Sequence, residues 1–274
     1  MPRANRYFIP GSIWHITQRC HKRSFLLKFA KDRRRWLKWL FQAKKKYGLR
    51  ILNYVLTSNH VHLLVMDGPR PGAISASMDL VSGRVAQEFN KRKKRHGAFW
   101  QDRYHATAVE DGVHLRNCMV YIDLNMVRAG VVDHPSDWPH CGYNEICSVR
   151  QRHSLIHWPS LLCVVNVSNR EELRYVYPTW IEDGMKRWGL ERDSRWTESV
   201  AVGGKEFVEE AVKVLGARVR SRNIAGFGDG STSKSESIPI EFVLRERTRA
   251  YRSVFTTQKR FLRKIKSNKS DLSC

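Results

Sequence analysis

The feature that most constrains the fold is an alternation of two kinds of segment over the first 110 residues. Some segments have the hydrophobic spacing of a helix, and others have the composition of a strand. Apolar side chains at three- and four-residue spacing predict amphipathic helices over residues 31–47 and 74–89. Short runs of β-branched, aromatic and apolar residues predict strands at 12–20, 49–56, 60–66 and 103–110. The resulting β-α-β-β-α-β order predicts an α+β fold built on a ferredoxin-like sheet.

A third helix is predicted over residues 111–130, with Asp111 as its N-cap and Gly130 just past its end. A ferredoxin-like sheet leaves one face open, and this helix or a bound strand of nucleic acid would cover it. We therefore assign residues 1–148 to one domain that ends with this candidate catalytic helix.

The rest of the chain is predicted to be a mainly helical, basic C-terminal extension. Residues 149–225 include a clear amphipathic helix at 204–220. Residues 226–274 form the last unit: a linker by composition at 226–237, followed by a tail rich in Arg and Lys.

Charge gives the main indication of a partner. The chain holds 49 Lys and Arg against 26 Asp and Glu, a formal net charge of +23. Such an excess favours a polyanion, and nucleic acid fits better than a membrane surface because the basic residues are spread along the chain. The predicted DNA contacts are Lys91, Arg92, Lys93, Lys94 and Arg95, with Trp100 and Arg103 in a following loop.

No apolar stretch approaches the roughly 20 residues of a membrane span, and residues 1–12 lack the apolar core of a signal peptide. We therefore expect a cytoplasmic location.

His60 and His62 stand one residue apart in the strand predicted at 60–66. Residues i and i+2 of a strand face the same way, so both imidazoles can reach one divalent ion. The pair alone leaves open the alternative of two structural histidines.

The predicted third helix carries a polar stripe of Asn117, Tyr121, Asn125 and Arg128 beside its apolar face. A phenol with a pKa near 10 is a poor nucleophile unless a metal polarises the phosphate that it attacks. Asn125 could then complete the ligand set of the two histidines, and Arg128 could contact a phosphate. Spacing alone equally allows Tyr121 and Arg128 to be surface residues.

Four segments resemble, in order, one known family. They are "YVLTSNHVHLLV" from residue 54, "GAFWQDRYHATAV" from residue 97, "YIDLNMVRAGVV" from residue 121 and "PSDWPHCGY" from residue 135. Over residues 2–147 the chain resembles the REP-associated tyrosine transposases, which belong to the single-tyrosine transposases with a His-hydrophobic-His motif. Thr57-Ser58 replaces the usual Met-Pro, and Met126 replaces the usual Pro.

The resemblance implies cleavage and rejoining of single-stranded DNA with a divalent metal, Mg²⁺ or Mn²⁺. His60 and His62 match the metal-binding pair, Tyr121 matches the nucleophile that forms a 5′-phosphotyrosine, and Asn125 matches the third ligand. The implied substrates are palindromic repeat hairpins with a flanking single-stranded tag. The implied location is the bacterial cytoplasm, in association with the nucleoid. The long extension favours a monomer over the swapped dimers described for shorter relatives.

Two other functions remain open. A domesticated, non-catalytic protein would bind DNA hairpins without a metal and without a covalent product. A metal-dependent hydrolase would use the two histidines and water, but it needs a general base that the neighbouring sequence does not offer.

Overall fold

The computed structural model describes residues 11–68, 70–149, 154–188, 192–216, 224–227 and 241–245. The α+β class and the predicted order of the first six elements are confirmed. The elements are β1 (Ile13–Arg19), α1 (Ala30–Tyr47), β2 (Arg50–Leu56), β3 (His60–Met66), α2 (Ala73–Arg92) and β4 (His105–Val109). These strands lie in the order β2-β3-β1-β4, and each neighbouring pair is antiparallel.

The predicted third helix is divided in two. It forms α3 (Val113–Asp123) and a single turn, α4 (Asn125–Arg128), separated by Leu124. The N-cap prediction for Asp111 is wrong: Gly112 occupies that position, with φ 66° and ψ −127°, a conformation that glycine adopts far more readily than other residues. At the division, the Arg128 guanidinium donates to the Tyr121 carbonyl at 2.5 Å.

α5 (Gly142–Cys147) lies at the end of the predicted first domain. The described part of the extension contains four α-helices: α6 (Trp158–Val164), α7 (Arg170–Trp188), α8 (Arg195–Glu198) and α9 (Lys205–Leu215). It also contains three strands that the sequence analysis did not anticipate: β5 (Ser199–Gly203), β6 (Ile224–Phe227) and β7 (Glu241–Arg245). They continue the sheet as β4-β5-β7-β6, with β5 parallel to β4. Most of the predicted linker and tail lies outside the described residues.

The sheet is covered on both faces. α1 and α2 pack on each other over one face, where the Ser82 hydroxyl donates to Gln18 of β1 at 2.7 Å. α3 crosses the other face in contact with β2, β3 and β4, and α7 packs on α3. None of the helices that the structure describes combines the length and the apolarity needed to cross a bilayer.

A buried polar cluster fixes α3 on its face of the sheet. The Asn53 amide of β2 donates to the Met119 carbonyl at 3.3 Å and to the Asp123 carboxyl group at 3.1 Å. The Tyr177 hydroxyl of α7 donates to the same Asp123 oxygen. All three polar side chains are almost fully buried, so their mutual hydrogen bonds replace the water that they have lost. The cluster therefore joins β2, α3 and α7.

We expect Tyr177→Phe to lower the free energy of unfolding by about 1–3 kcal/mol, because Asp123 loses a hydrogen-bond donor inside the protein. Urea denaturation would measure the change. Tyr175→Phe is the matched control, since the Tyr175 side chain on the same helix is 83% exposed. Equal stability of the two variants would contradict the structural role of the cluster.

Candidate functional site

The two histidines of β3 lie at the start of the strand and face α3. His60 pairs across the sheet with Arg19 of β1, and the His60 and His62 ring centroids are 5.0 Å apart. The Thr57 hydroxyl and the Asn59 side-chain oxygen contact His60 Nδ1 at 2.9 and 2.7 Å. The Nε2 atom of this half-buried ring is thus the one left to bind a ligand.

His62 is held at both ring nitrogens. Its Nδ1 lies 2.8 Å from Nε2 of His15, and its Nε2 lies 3.0 Å from the Asn125 amide nitrogen. The His15 and His62 rings are stacked, with centroids 5.0 Å apart. His62 is almost completely buried, so its orientation is set by these two partners.

The third and fourth predicted residues come from α3 and α4. The Tyr121 ring centroid lies 5.9 Å from that of His62, and Asn125 follows one turn later. The Asn125 side chain also hydrogen-bonds His60. The structure therefore brings His60, His62, Tyr121 and Asn125 together around one point.

Burial governs the protonation of these groups. It lowers the pKa of His60 to about 3, with the charges of Arg19 and Arg192 adding to the effect. It also lowers the pKa of His62 well below its ordinary value and raises the pKa of the Tyr121 phenol, which Arg128 opposes. At neutral pH the site holds two neutral imidazoles, which is the form that binds metal, and a protonated phenol.

Three guanidinium groups influence the tyrosine. Arg128 lies over the Tyr121 ring, with its Cζ 4.1 Å from the ring centroid. Arg19 and Arg192 are close enough for their charges to act on Tyr121 and on each other. Sequence reasoning selected Arg128 but missed the other two, because Arg19 lies in a separate strand and Arg192 in the extension. Together they make the space beside Tyr121 attractive to a phosphate.

The donor set fits a divalent cation. His60 and His62 direct Nε2 toward the Asn125 amide, and half a turn of that amide would present its oxygen in place of its nitrogen. In the part of the chain that the structure describes, no three His, Cys, Asp or Glu side chains form a metal-binding group. Two imidazoles and one amide would leave further coordination positions for water or phosphate oxygens.

The basic cluster predicted to contact DNA lies at the end of α2. Lys91, Lys93 and Lys94 are exposed, whereas Arg92 pairs with Asp32, and Arg95 donates to the Ala98 carbonyl at 2.8 Å. Two of the five cations therefore also hold local structure.

The loop that follows α2 contains the other two predicted contacts. Arg103 is exposed. Trp100 is half-buried, and its indole N–H donates to the Ser82 carbonyl at 3.0 Å. This loop joins the end of β1 beside His60, because Gln101 donates its backbone N–H to the Arg19 carbonyl at 2.8 Å.

An exposed aromatic residue next to the basic cluster was missed by the sequence analysis. Phe29 is 53% exposed, and the ammonium groups of Lys28 and Lys93 lie 5.9 and 5.7 Å from its ring centroid. The sequence shows Phe29 as an aromatic residue in a basic segment just before α1. Only its exposure in the structure distinguishes it from a core residue.

Two solved structures are similar to part of the chain. One structural relative is a REP-associated tyrosine transposase bound to a REP hairpin, with 23% identity and a TM-score of 0.45 over 53% of this chain and 84% of that chain. Another is a proposed transposase from Deinococcus radiodurans R1, with 16% identity and a TM-score of 0.31 over 42% of this chain and 90% of that one. None of the curated proteins is significantly similar to the chain.

The first part of the chain is similar in sequence to one protein family. Residues 10–125 match the family described as "Transposase IS200 like". This segment contains β1 to β4, both histidines of β3, Tyr121 and Asn125. Over residues 10–125, this chain is therefore similar to the IS200-like transposases.

Proposed function

We propose that the protein is a DNA transposase that cuts and rejoins single-stranded DNA with Tyr121 as the nucleophile. The observation that carries the proposal is the meeting of His60, His62, Tyr121 and Asn125 beside three arginines. Hairpins of palindromic repeats are the proposed substrates, on the basis of the motif resemblance and the charge of +23.

In the proposed reaction, the Tyr121 oxygen bonds to phosphorus and the bond from phosphorus to the 3′ oxygen breaks. The phenol proton ends on the released 3′-hydroxyl through water, and reversal of the same steps rejoins the strand. Arg128, Arg19 and Arg192 attract the phosphate and stabilise the negative charge that develops on it.

His60, His62 and Asn125 would hold Mg²⁺ or Mn²⁺. The bound cation would polarise the scissile phosphate and so compensate for a phenol that burial keeps protonated. The neutral imidazoles need no deprotonation before they bind the cation.

The Tyr121 side chain is shielded from solvent. Tyr121 is 4% exposed, and the Trp196 ring lies 6.1 Å from it. Arg128 also lies over the Tyr121 ring, so side chains around the phenol must move aside before a nucleotide can reach it. The same burial favours the alternative of a protein that binds hairpins without cutting, so the two functions must be separated by the covalent product.

We expect Tyr121→Phe to abolish covalent attachment to a single-stranded hairpin oligonucleotide while hairpin binding is retained, because only the reacting oxygen is removed. A denaturing gel after incubation with Mn²⁺ measures attachment, and a mobility shift measures binding. Tyr104→Phe is the control, since Tyr104 is buried and hydrogen-bonds Ser75, away from the histidines. Absence of a covalent product from the unmodified protein would favour the hairpin-binding alternative.

Mn²⁺ affinity should change little between pH 8 and pH 6. Burial lowers the pKa of both His60 and His62, so protons begin to compete with the cation only below the range of an ordinary histidine. Isothermal titration calorimetry would measure the affinity. His62→Ala should weaken it strongly at every pH, and a loss of affinity centred near pH 6.5 would contradict neutral, buried ligands.

The exposed Phe29 and its lysines offer a place where a base could stack. We expect Phe29→Ala to weaken binding of single-stranded DNA by about 1–3 kcal/mol, the usual range for one stacked base. Fluorescence anisotropy would measure the change, and Phe29→Trp should preserve binding. Tyr175→Ala is the control for loss of an exposed aromatic ring; an equal effect in that variant would exclude a specific platform.

A further inference from the structure

The site is connected to the extension through a buried histidine that no catalytic step uses. His15 of β1 is fully buried. Its Nδ1 lies 2.8 Å from the carbonyl oxygen of Trp196, and its Nε2 lies 2.8 Å from Nδ1 of His62. His15 thus bridges a backbone group of α8 and the metal-ligand candidate on β3.

The chemistry of the end groups determines the direction of these hydrogen bonds. A carbonyl oxygen only accepts, so His15 Nδ1 carries a proton and donates it to Trp196. In a neutral ring, His15 Nε2 is then the acceptor, and His62 Nδ1 must donate to it. His62 Nε2 is left with its lone pair, and the Asn125 amide nitrogen, 3.0 Å away, is a donor suited to it.

Side chains of β4 hold the accepting carbonyl in place. The Thr107 hydroxyl is 2.7 Å from the Ser199 carbonyl and 3.4 Å from the Trp196 carbonyl. A ring nitrogen of His105 is 2.9 Å from the Ser199 carbonyl. The turn that contains Trp196 is therefore fastened to the sheet by polar side chains on the same face as His15.

We propose that His15 is a positioning residue for His62. The Trp196 carbonyl accepts from His15 Nδ1 and so selects the tautomer of His15. His15 Nε2 in turn keeps the proton of His62 on Nδ1, which leaves the lone pair of His62 Nε2 directed toward the metal site. The inference rests on the proposed function, because it gives His62 the role of a metal ligand. It makes the turn around Trp196, more than 70 residues beyond Tyr121 in the chain, a structural part of the site.

A purely structural histidine would satisfy the same burial without any effect on metal binding. The two roles can be distinguished by measurement. Replacing the hydrogen-bond partner of a metal-ligating histidine typically weakens metal affinity by about 10- to 100-fold. Gln is an informative replacement at position 15, since its amide offers one donor and one acceptor, as the neutral ring does. Phe fills similar space and offers neither.

The experiment begins with ¹⁵N–¹H correlation spectra of the histidine rings in the full-length protein without metal. We expect His15 and His62 to carry their protons on Nδ1. In His15→Phe, His62 should lose this single tautomer, and the Kd for Mn²⁺ should rise by about 10- to 100-fold. His15→Gln should stay within a few-fold of the unmodified protein. His140→Phe replaces another buried histidine away from the site and should leave the Kd unchanged.

A proton on Nε2 of His62 in the unmodified protein would overturn the proposal, whether or not any variant folds. Equal Mn²⁺ affinity in His15→Phe would overturn it too, as would an equal loss in His15→Gln and His15→Phe. A protein that binds no Mn²⁺ would remove the metal site and the role of His15 together. Mn²⁺ binding with His62 protonated at Nε2 would remove the role of His15 alone and leave the proposed function standing.

Discussion

The site depends on the docking of one helix against one face of the sheet. α3 is held there by the buried hydrogen bonds of Asn53, Asp123 and Tyr177. Buried polar groups of this kind tolerate little displacement. A group that loses its hydrogen bond inside the protein cannot form a new one with water, and this destabilises the fold. Because α3 is fixed in this position, Tyr121 and Asn125 lie next to the histidines of β3. Positioning of the tyrosine is thus a consequence of core packing.

The extension contributes to the site as well as to the sheet. β5 continues the sheet beyond β4, and the turn just before β5 places the Trp196 ring beside Tyr121 and its carbonyl on His15. One short segment therefore packs beside the proposed nucleophile and contacts the partner of a metal-ligand candidate. A displacement of the Trp196 backbone would both uncover this side of the phenol and break its hydrogen bond with His15.

Burial and the nearby arginines together determine the charge of the site. Burial keeps the imidazoles uncharged and the phenol protonated, while Arg19, Arg128 and Arg192 supply positive charge nearby. This positive charge attracts a polyanion, and it is partly offset by Glu198, which pairs with Arg192 at 2.9 Å, and by Asp193. A metal held by the two histidines would compensate for the protonated state of the phenol. Outside the site, Lys28 and Lys93 beside Phe29 add exposed positive charge.

The sequence by itself determined what depends on local periodicity. The two-residue period of a strand placed His60 and His62 on one face, and the four-residue spacing placed Asn125 one turn after Tyr121. The order of six elements followed from the same patterns. Asp111 was misjudged because the conformation of Gly112 could not be read from residue types alone.

Only the tertiary structure decided which distant groups meet. His15 and Trp196 are separated by 181 residues, and nothing in either segment marks the other as its partner. The same holds for Arg19 and Arg192 around Tyr121, and for β5 beside β4. The physical reason is that local patterns specify which way a side chain points, whereas contacts between distant segments come from the packing of whole elements on a common core.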